Sequence, residues 1–224
     1  MLDLALPDSL EVPKDQLKLR LDFYEDTILM HVFEGKVTKT DMISAVDIAQ
    51  AMVQELSISS GLLPEGALWW RSAREGWETA LWRPPRVWKA ALMTELLKPP
   101  QRFTLPMPGL IFVCRPGQPP YVYAAKKRPT KATDKIYHAP LFNLFNDGRS
   151  CPGTHHYPLN VNQVPESFFL SFFSMTSQAQ RSRKYPDNLL KLWEELDGQK
   201  KYPMSDLVDF GKLEDIMGVP KKTP

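Results

Sequence analysis

Apolar and polar residues alternate near the start of the chain. Leu17, Leu19, Leu21 and Phe23 are interleaved with Lys18, Arg20 and Asp22, the period-two pattern of a half-buried strand. Glu25-Asp26 reads as a turn, and Thr27 to Glu34 as the returning strand of a hairpin. After Gly35 the period changes. Met42, Ile43, Val46, Ala49, Met52, Val53 and Leu56 recur at three- and four-residue spacing, which predicts a helix capped by Thr38 or Thr40 and ended by Ser59-Ser60-Gly61. Residues 67–82 predict a second hairpin, turning at Arg74-Glu75-Gly76. Its Trp69, Trp70, Trp77 and Trp82 suit a packed, pleated surface or an aromatic binding platform. Pro84-Pro85 predicts the start of a short helix carrying Val87, Trp88, Ala91, Leu92 and Leu96, with Pro99-Pro100 as its stop.

Gly109 to Cys114 is a continuous apolar run and predicts a buried central strand. A Pro- and Gly-rich connection, 115–120, leads to a further strand over Tyr121 to Lys127. Lys135-Ile136-Tyr137 predicts another. Glu166 to Met175 predicts a helix with Phe168, Phe169, Phe172 and Phe173 on a wide apolar face. Gln178 to Tyr185 is polar and reads as mobile. Asp187 to Leu196 is amphipathic, with Asp187 as N-cap and Gly198 closing the helix. Ser205 to Phe210 predicts a last short turn. The pattern by itself gives an α+β chain.

Composition adds mainly exclusions. Hydrophobic residues make up 43% and charged residues 24% of 224 positions, which argues against wholesale disorder. A net charge of +2 without a long single-sign block gives no electrostatic case for nucleic acid or an acidic membrane as partner. Lys126-Lys127-Arg128 and Lys131 read as a solvated basic loop. The amino terminus lacks a signal-peptide pattern, and no apolar run approaches a membrane span, so the expected setting is cytoplasmic. Two cysteines, Cys114 and Cys151, make neither a disulfide framework nor a zinc site.

Candidate chemistry concentrates after the Ile136-Tyr137 strand. Asn146-Asp147-Gly148 favours a tight turn, because Gly accepts positive φ and the Asx side chain bonds local backbone. That turn lifts Cys151 onto a loop, and Pro152-Gly153 prevents a continuous element beyond it. A thiol on a loop beside amide and imidazole side chains is a plausible covalent nucleophile.

The stretch Ile136-Tyr137-His138 through Asn143, Gly148 and Cys151 resembles the active-site segment of the ubiquitin-conjugating enzymes, the UBC-like superfamily. There an Ile-Tyr-His-Pro-Asn edge precedes Gly-x-x-Cys, and the cysteine carries the modifier as a thioester. Asn143 lies eight residues before Cys151, and Gly148 three before it, as in that family. Four residues separate His138 from Asn143 here, in place of one proline, so Asn143 is the better match. Asp147-Gly148-Arg149-Ser150-Cys151-Pro152-Gly153 and Phe168-Phe169-Leu170-Ser171-Phe172-Phe173 resemble a divergent prokaryotic branch that includes protein B of the PRTRC systems.

The resemblance implies a UBC-like fold with a mostly antiparallel meander sheet flanked by helices, and N-terminal elaborations. It implies one domain over 1–224, an active-site segment at 135–176 and C-terminal helices at 186–210. It further implies a transferase that takes a ubiquitin-like modifier onto Cys151 from a ThiF-type activating enzyme and passes it to an amine, with no cofactor of its own. Asn143 would stabilise the tetrahedral oxyanion, an effect of roughly 3–4 kcal/mol when preorganised. The family role of His138 is mainly structural. Asp147, His155 and His156 are candidates to desolvate or deprotonate the amine. Two rivals stand beside this reading: a noncatalytic adaptor that holds the modifier or the activating enzyme, and a cysteine hydrolase using Cys151 with His155 or His156. No phosphate-binding glycine loop or Gly-x-Ser-x-Gly motif is present, so nucleotide chemistry belongs to another protein.

Overall fold

The computed structural model describes residues 18–34, 37–55, 62–73, 76–95, 98–151, 153–175 and 180–218. These fall into two compact units, residues 1–61 and 62–224, where the sequence reading treats the chain as one domain.

The first unit holds β1 (Leu19–Phe23), β2 (Ile28–Glu34) and β3 (Val37–Ile43) in one antiparallel sheet, followed by α1 (Ala45–Glu55). The predicted hairpin is β1–β2. The predicted helix begins later than expected, because Thr38, Thr40, Met42 and Ile43 belong to β3. Val, Thr and Ile restrict χ1 and fit a pleat, and β2 supplies the partner that a local pattern does not reveal. Ser44 opens the helix instead: its Oγ accepts the Asp47 N–H at 3.1 Å and donates to the Asp47 carboxylate at 2.6 Å. Leu56 and the predicted stop at Ser59-Ser60-Gly61 lie outside the described residues. His31 gains two cross-strand partners, Asp22 at 3.0 Å and Thr40 at 2.9 Å.

The second unit is α+β. A six-stranded antiparallel sheet runs in the order β4 (Ala67–Ala73), β5 (Gly76–Arg83), β8 (Gly109–Cys114), β9 (Tyr121–Ala125), β10 (Lys135–His138), β12 (Asp209–Lys212). Between β5 and β8 the chain leaves to form β6 (Arg86–Met93) and β7 (Gln101–Met107), a hairpin in a second sheet. The helix predicted over this region is therefore a strand. Trp88, Ala90 and Leu92 are buried while Val87 and Lys89 are exposed, a period of two that the apolar pairs Val87-Trp88 and Ala91-Leu92 disguise as helical. Leu96 lies outside the described residues. Pro106 is accommodated because β7 is an edge strand.

α2 (Val164–Leu170) is also shorter than predicted. At Ser171 the backbone turns extended, and β11 (Phe172–Ser174) pairs parallel with β6. The four-phenylalanine face is thus divided between a helix and a strand. Phe168, Phe169 and Phe173 are buried, whereas Phe172 is 62% exposed. α3 (Leu189–Leu196) follows; Asn188, rather than Asp187, caps it by accepting the Lys191 N–H at 3.0 Å. The expected last turn is a 3-10 turn, Met204–Asp206, that leads into β12.

The apolar run of β8 is buried on both faces. Leu110, Phe112 and Cys114 face the main core, with Trp88, Leu92, Phe103, Phe168, Phe173 and Trp193. Ile111 and Val113 face a smaller cluster with Trp82, Tyr123, Ile136 and Leu213. Gly109 allows the Trp82 indole to lie against the strand, where a Cβ would come within 1.7 Å of the ring. Trp193 is the hub beneath the site: Phe142 and Phe173 meet its ring at 4.8 and 5.4 Å, both edge-on. The tryptophans of the β4–β5 hairpin divide likewise. Trp82 is core, while Trp77 is 48% exposed and lies against Trp70. The basic segment 126–128 is an exposed loop, as expected.

Candidate active site

Beyond His138 the chain makes a tight turn at Ala139, where Leu141 N–H bonds the Ala139 carbonyl, and buries Leu141 and Phe142. Asn143 then adopts φ 59°, a left-handed conformation that Asn tolerates better than most side chains. This reverses the chain into a short hairpin. Leu144 pairs with Ser150, Phe145 N–H bonds the Arg149 carbonyl at 2.8 Å, and Cys151 N–H bonds the Asn143 carbonyl at 2.7 Å. At the tip Asp147 accepts the Arg149 N–H at 3.0 Å. Gly148 has φ 84°, and a Cβ there would sit 2.5 Å from the Tyr123 ring, so turn and packing both demand glycine. Cys151 ends this hairpin with its side chain exposed.

The hairpin is braced from several directions. Val122 N–H bonds the Gly148 carbonyl at 2.8 Å, Tyr123 O–H donates to the Asp147 carbonyl at 2.7 Å, and Ser150 donates both N–H and O–H to the Pro120 carbonyl. The Asn143 carboxamide is held to β11 at both ends. Its Nδ2 donates to the Phe172 carbonyl, and its Oδ1 accepts from Ser174 N–H and O–H, each at 2.9 Å. From behind, the buried Arg181 guanidinium donates to the carbonyls of Leu144 at 2.6 Å, Phe145 at 2.9 Å and Ala139 at 3.4 Å. Burial pushes its pKa down to about 10, against the pull of the Asp147 carboxylate. Trp193 Nε1–H donates to the Pro140 carbonyl at 3.0 Å.

Arg181 corrects the reading of 178–185 as polar and mobile. Arg181 and Ser182 are both fully buried; residues 178 and 179 lie outside the described set. A guanidinium offers five donors, so a long polar side chain enters the interior when backbone carbonyls await it.

The structure brings Asn143 and Cys151 together and places Asp147 at the exposed tip of the same hairpin. His138 stands on β10, half-buried, with its ring edge-on to Phe210 at 5.1 Å. Burial, then the Arg181 cation, holds its imidazole below the ordinary range, against Asp209. His155 is tied to Ser167 Oγ at 2.8 Å, and His156 is exposed. One residue escapes sequence reasoning, Arg181. It carries no local signal, since it is identified only by contacts distant in sequence. Among the described residues no group of three or more His, Cys, Asp or Glu is placed to hold a metal, and no helix is long and apolar enough to cross a membrane.

An α+β unit with a mostly antiparallel sheet, and a cysteine displayed on a hairpin closed by asparagine, define an E2-like protein of the UBC-like fold. Residues 41–210 match prokaryotic E2 family D, more than half of the chain, and the protein belongs to that family. No curated protein and no solved structure matches it.

Proposed function

We propose that this chain is a ubiquitin-conjugating-enzyme-like transferase. It takes a ubiquitin-like modifier as a thioester on Cys151 from a ThiF-type activating enzyme and passes it to an amine, in the cytoplasm. The observation that carries the reading is the setting of Cys151: an exposed thiol whose N–H is bonded to Asn143, on a hairpin braced by Arg181, Tyr123 and Pro120. In the first step the Cys151 thiolate forms a C–S bond to the modifier's carbonyl carbon, and the activating enzyme's cysteine leaves as thiolate. In the second an amine displaces Cys151 and an amide results. Asn143, clasped to β11, serves by holding the hairpin. Asp147 at the exposed tip is placed to meet an incoming lysine, and His138 and His155 support the walls. The Asp147 to Gly153 motif supports kinship with the branch that includes PRTRC protein B.

The test is incubation with a ThiF-type activating enzyme, its modifier and ATP, followed by electrophoresis with and without reductant. A reductant-sensitive adduct mapping to Cys151 is expected. A stable complex without adduct, while the activating enzyme itself becomes charged, would replace this reading with the adaptor. Hydrolysis of simple thioesters by the chain alone would replace it with the hydrolase.

A further inference from the structure

The basic loop that holds Arg128 has no part in the proposed transfer. Arg128 lines a cavity of about 700 Å³ where β5 gives way to β6, together with Arg83, Arg86, Trp82, Pro84 and Glu166. Small-molecule sites run from about 300 to 1,000 Å³. Each of the three guanidinium groups is fixed by the fold. Arg83 is 13% exposed; it donates to the Glu65 carbonyl at 3.1 Å and to the Asn162 carbonyl at 3.0 Å. Arg86 lies over the Trp88 ring, 3.5 Å from its centre, and Trp88 is stacked in turn on Phe169 at 4.0 Å. Arg128 donates to the Ala67 carbonyl at 3.1 Å. A guanidinium held by one edge or one face keeps other N–H groups for a second acceptor, in a fork that matches phosphate. The carboxylates do not balance these cations. Glu166 is shared, 2.8 Å from Arg86 and 3.7 Å from Arg83, and is 47% exposed. Arg128 forms no ion pair among the described residues, and neither does Glu65, an exposed carboxylate that also lines the cavity. Lys126 and Lys127, exposed beside Arg128 in the chain, add to the positive potential.

We infer that this cavity binds a small phosphorylated ligand, whose phosphate groups bridge Arg83, Arg86 and Arg128 while Trp82 and Pro84 meet the rest of the molecule. The incoming anion takes the place of Glu166 at Arg86, and the half-exposed carboxylate turns to solvent. A phosphate group wins that exchange because it carries more charge than a carboxylate and one more acceptor oxygen. Three forks within one cavity suit charge concentrated on adjacent phosphoryl groups better than carboxylates spaced along a peptide. No described residue of the Cys151 hairpin lines the cavity, so the site stands or falls independently of the conjugating reading.

The experiment titrates ATP and inorganic pyrophosphate into the full chain by calorimetry in magnesium-free buffer, with adenosine and hexaglutamate as controls. Saturable one-to-one binding of ATP is expected, with adenosine silent. Arg86→Gln and Arg128→Gln, both at exposed positions, are each expected to weaken it about 10-fold, the scale of one charge-assisted hydrogen bond. Glu166→Gln removes the competing carboxylate and is expected to tighten binding several-fold. Glu194→Gln makes the same charge change at an exposed position on α3, away from the cavity lining, and is expected to leave binding unchanged. Either order of affinity supports the site: ATP ahead of pyrophosphate identifies an organic phosphate, and equal affinity identifies the phosphates alone. Absence of saturable binding by both overturns the inference. So does binding that the arginine variants leave unchanged, or that Glu194→Gln tightens as much as Glu166→Gln, since general surface charge would then account for it. Binding of hexaglutamate in place of the phosphates overturns it in favour of an acidic protein segment. If an arginine variant does not fold, the contrast between Glu166→Gln and Glu194→Gln decides.

Discussion

Cys114 and Cys151 are the same side chain in opposite settings. Cys114 lies on β8, covered on both faces by the two cores, and burial pushes its thiol up to about 12. Cys151 is exposed, yet the backbone leading to it is bonded to β9 and Arg181, and the Asn143 carboxamide ties it to β11. Exposure of a side chain and mobility of its backbone are thus separate properties. A covalent carrier needs the first without the second: an accessible sulfur whose position is fixed before the partner arrives.

The sharpest way to break this comparison is to exchange the roles of the two thiols. Cys151→Ser should abolish the reductant-sensitive adduct and trap a more stable oxyester, while Cys114→Ser should still charge. Loss of charging only in the Cys114 variant, read on the same gels, would invert the assignment. Next in size is Arg181→Met, which removes a donor shared by three backbone carbonyls; Ala139 and Phe145 keep the N–H groups of Leu141 and Gly148, and Leu144 is left without its guanidinium partner. The lost hydrogen bonds and the unpaired acceptor cost about 3 kcal/mol in total, measurable as a shift of the denaturant midpoint. Gly148→Ala should cost about 2 kcal/mol, because it forces an L side chain to positive φ and into the Tyr123 ring. That loss should loosen the Cys151 hairpin and leave Cys114 protected from alkylating reagents; simultaneous exposure of both thiols would show that the hairpin is not a separate device.

The smallest effect is that of pH on His138. Its folded pKa lies below the unfolded value, so the unfolded chain takes up the proton first as pH falls. This contribution to stability is present above about pH 6.5 and is lost as pH falls from there toward the folded value. His138→Gln should flatten that part of the stability–pH curve between pH 7 and 5. An unchanged slope would remove His138 from the account.

Much of this architecture was legible because it is local. The hairpins β1–β2 and β4–β5, the doubly buried β8 and the helix α3 each announce themselves by a period or by turn residues within a few positions. The offsets from Asn143 and Gly148 to Cys151 were legible for the same reason, since a hairpin of fixed length encodes its own spacing. β6 and β11 were misread because paired apolar residues, Val87-Trp88 and Phe172-Phe173, satisfy either period until a partner strand selects one. β7 gave no signal, as Pro106 argues against a strand whose edge position was unknown.

What the sequence by itself determined is the α+β class, the central buried strand, and a turn that delivers Cys151 beside Asn143. The tertiary structure alone decided which polar groups surround that thiol. Arg181 reaches carbonyls some forty residues away, and Asn143 finds Phe172 and Ser174 only because α2 ends in an extended backbone. A backbone carbonyl or a serine hydroxyl accepts from any donor that the fold brings near. Residue identity therefore states what a group can bond, and only packing states what it does bond.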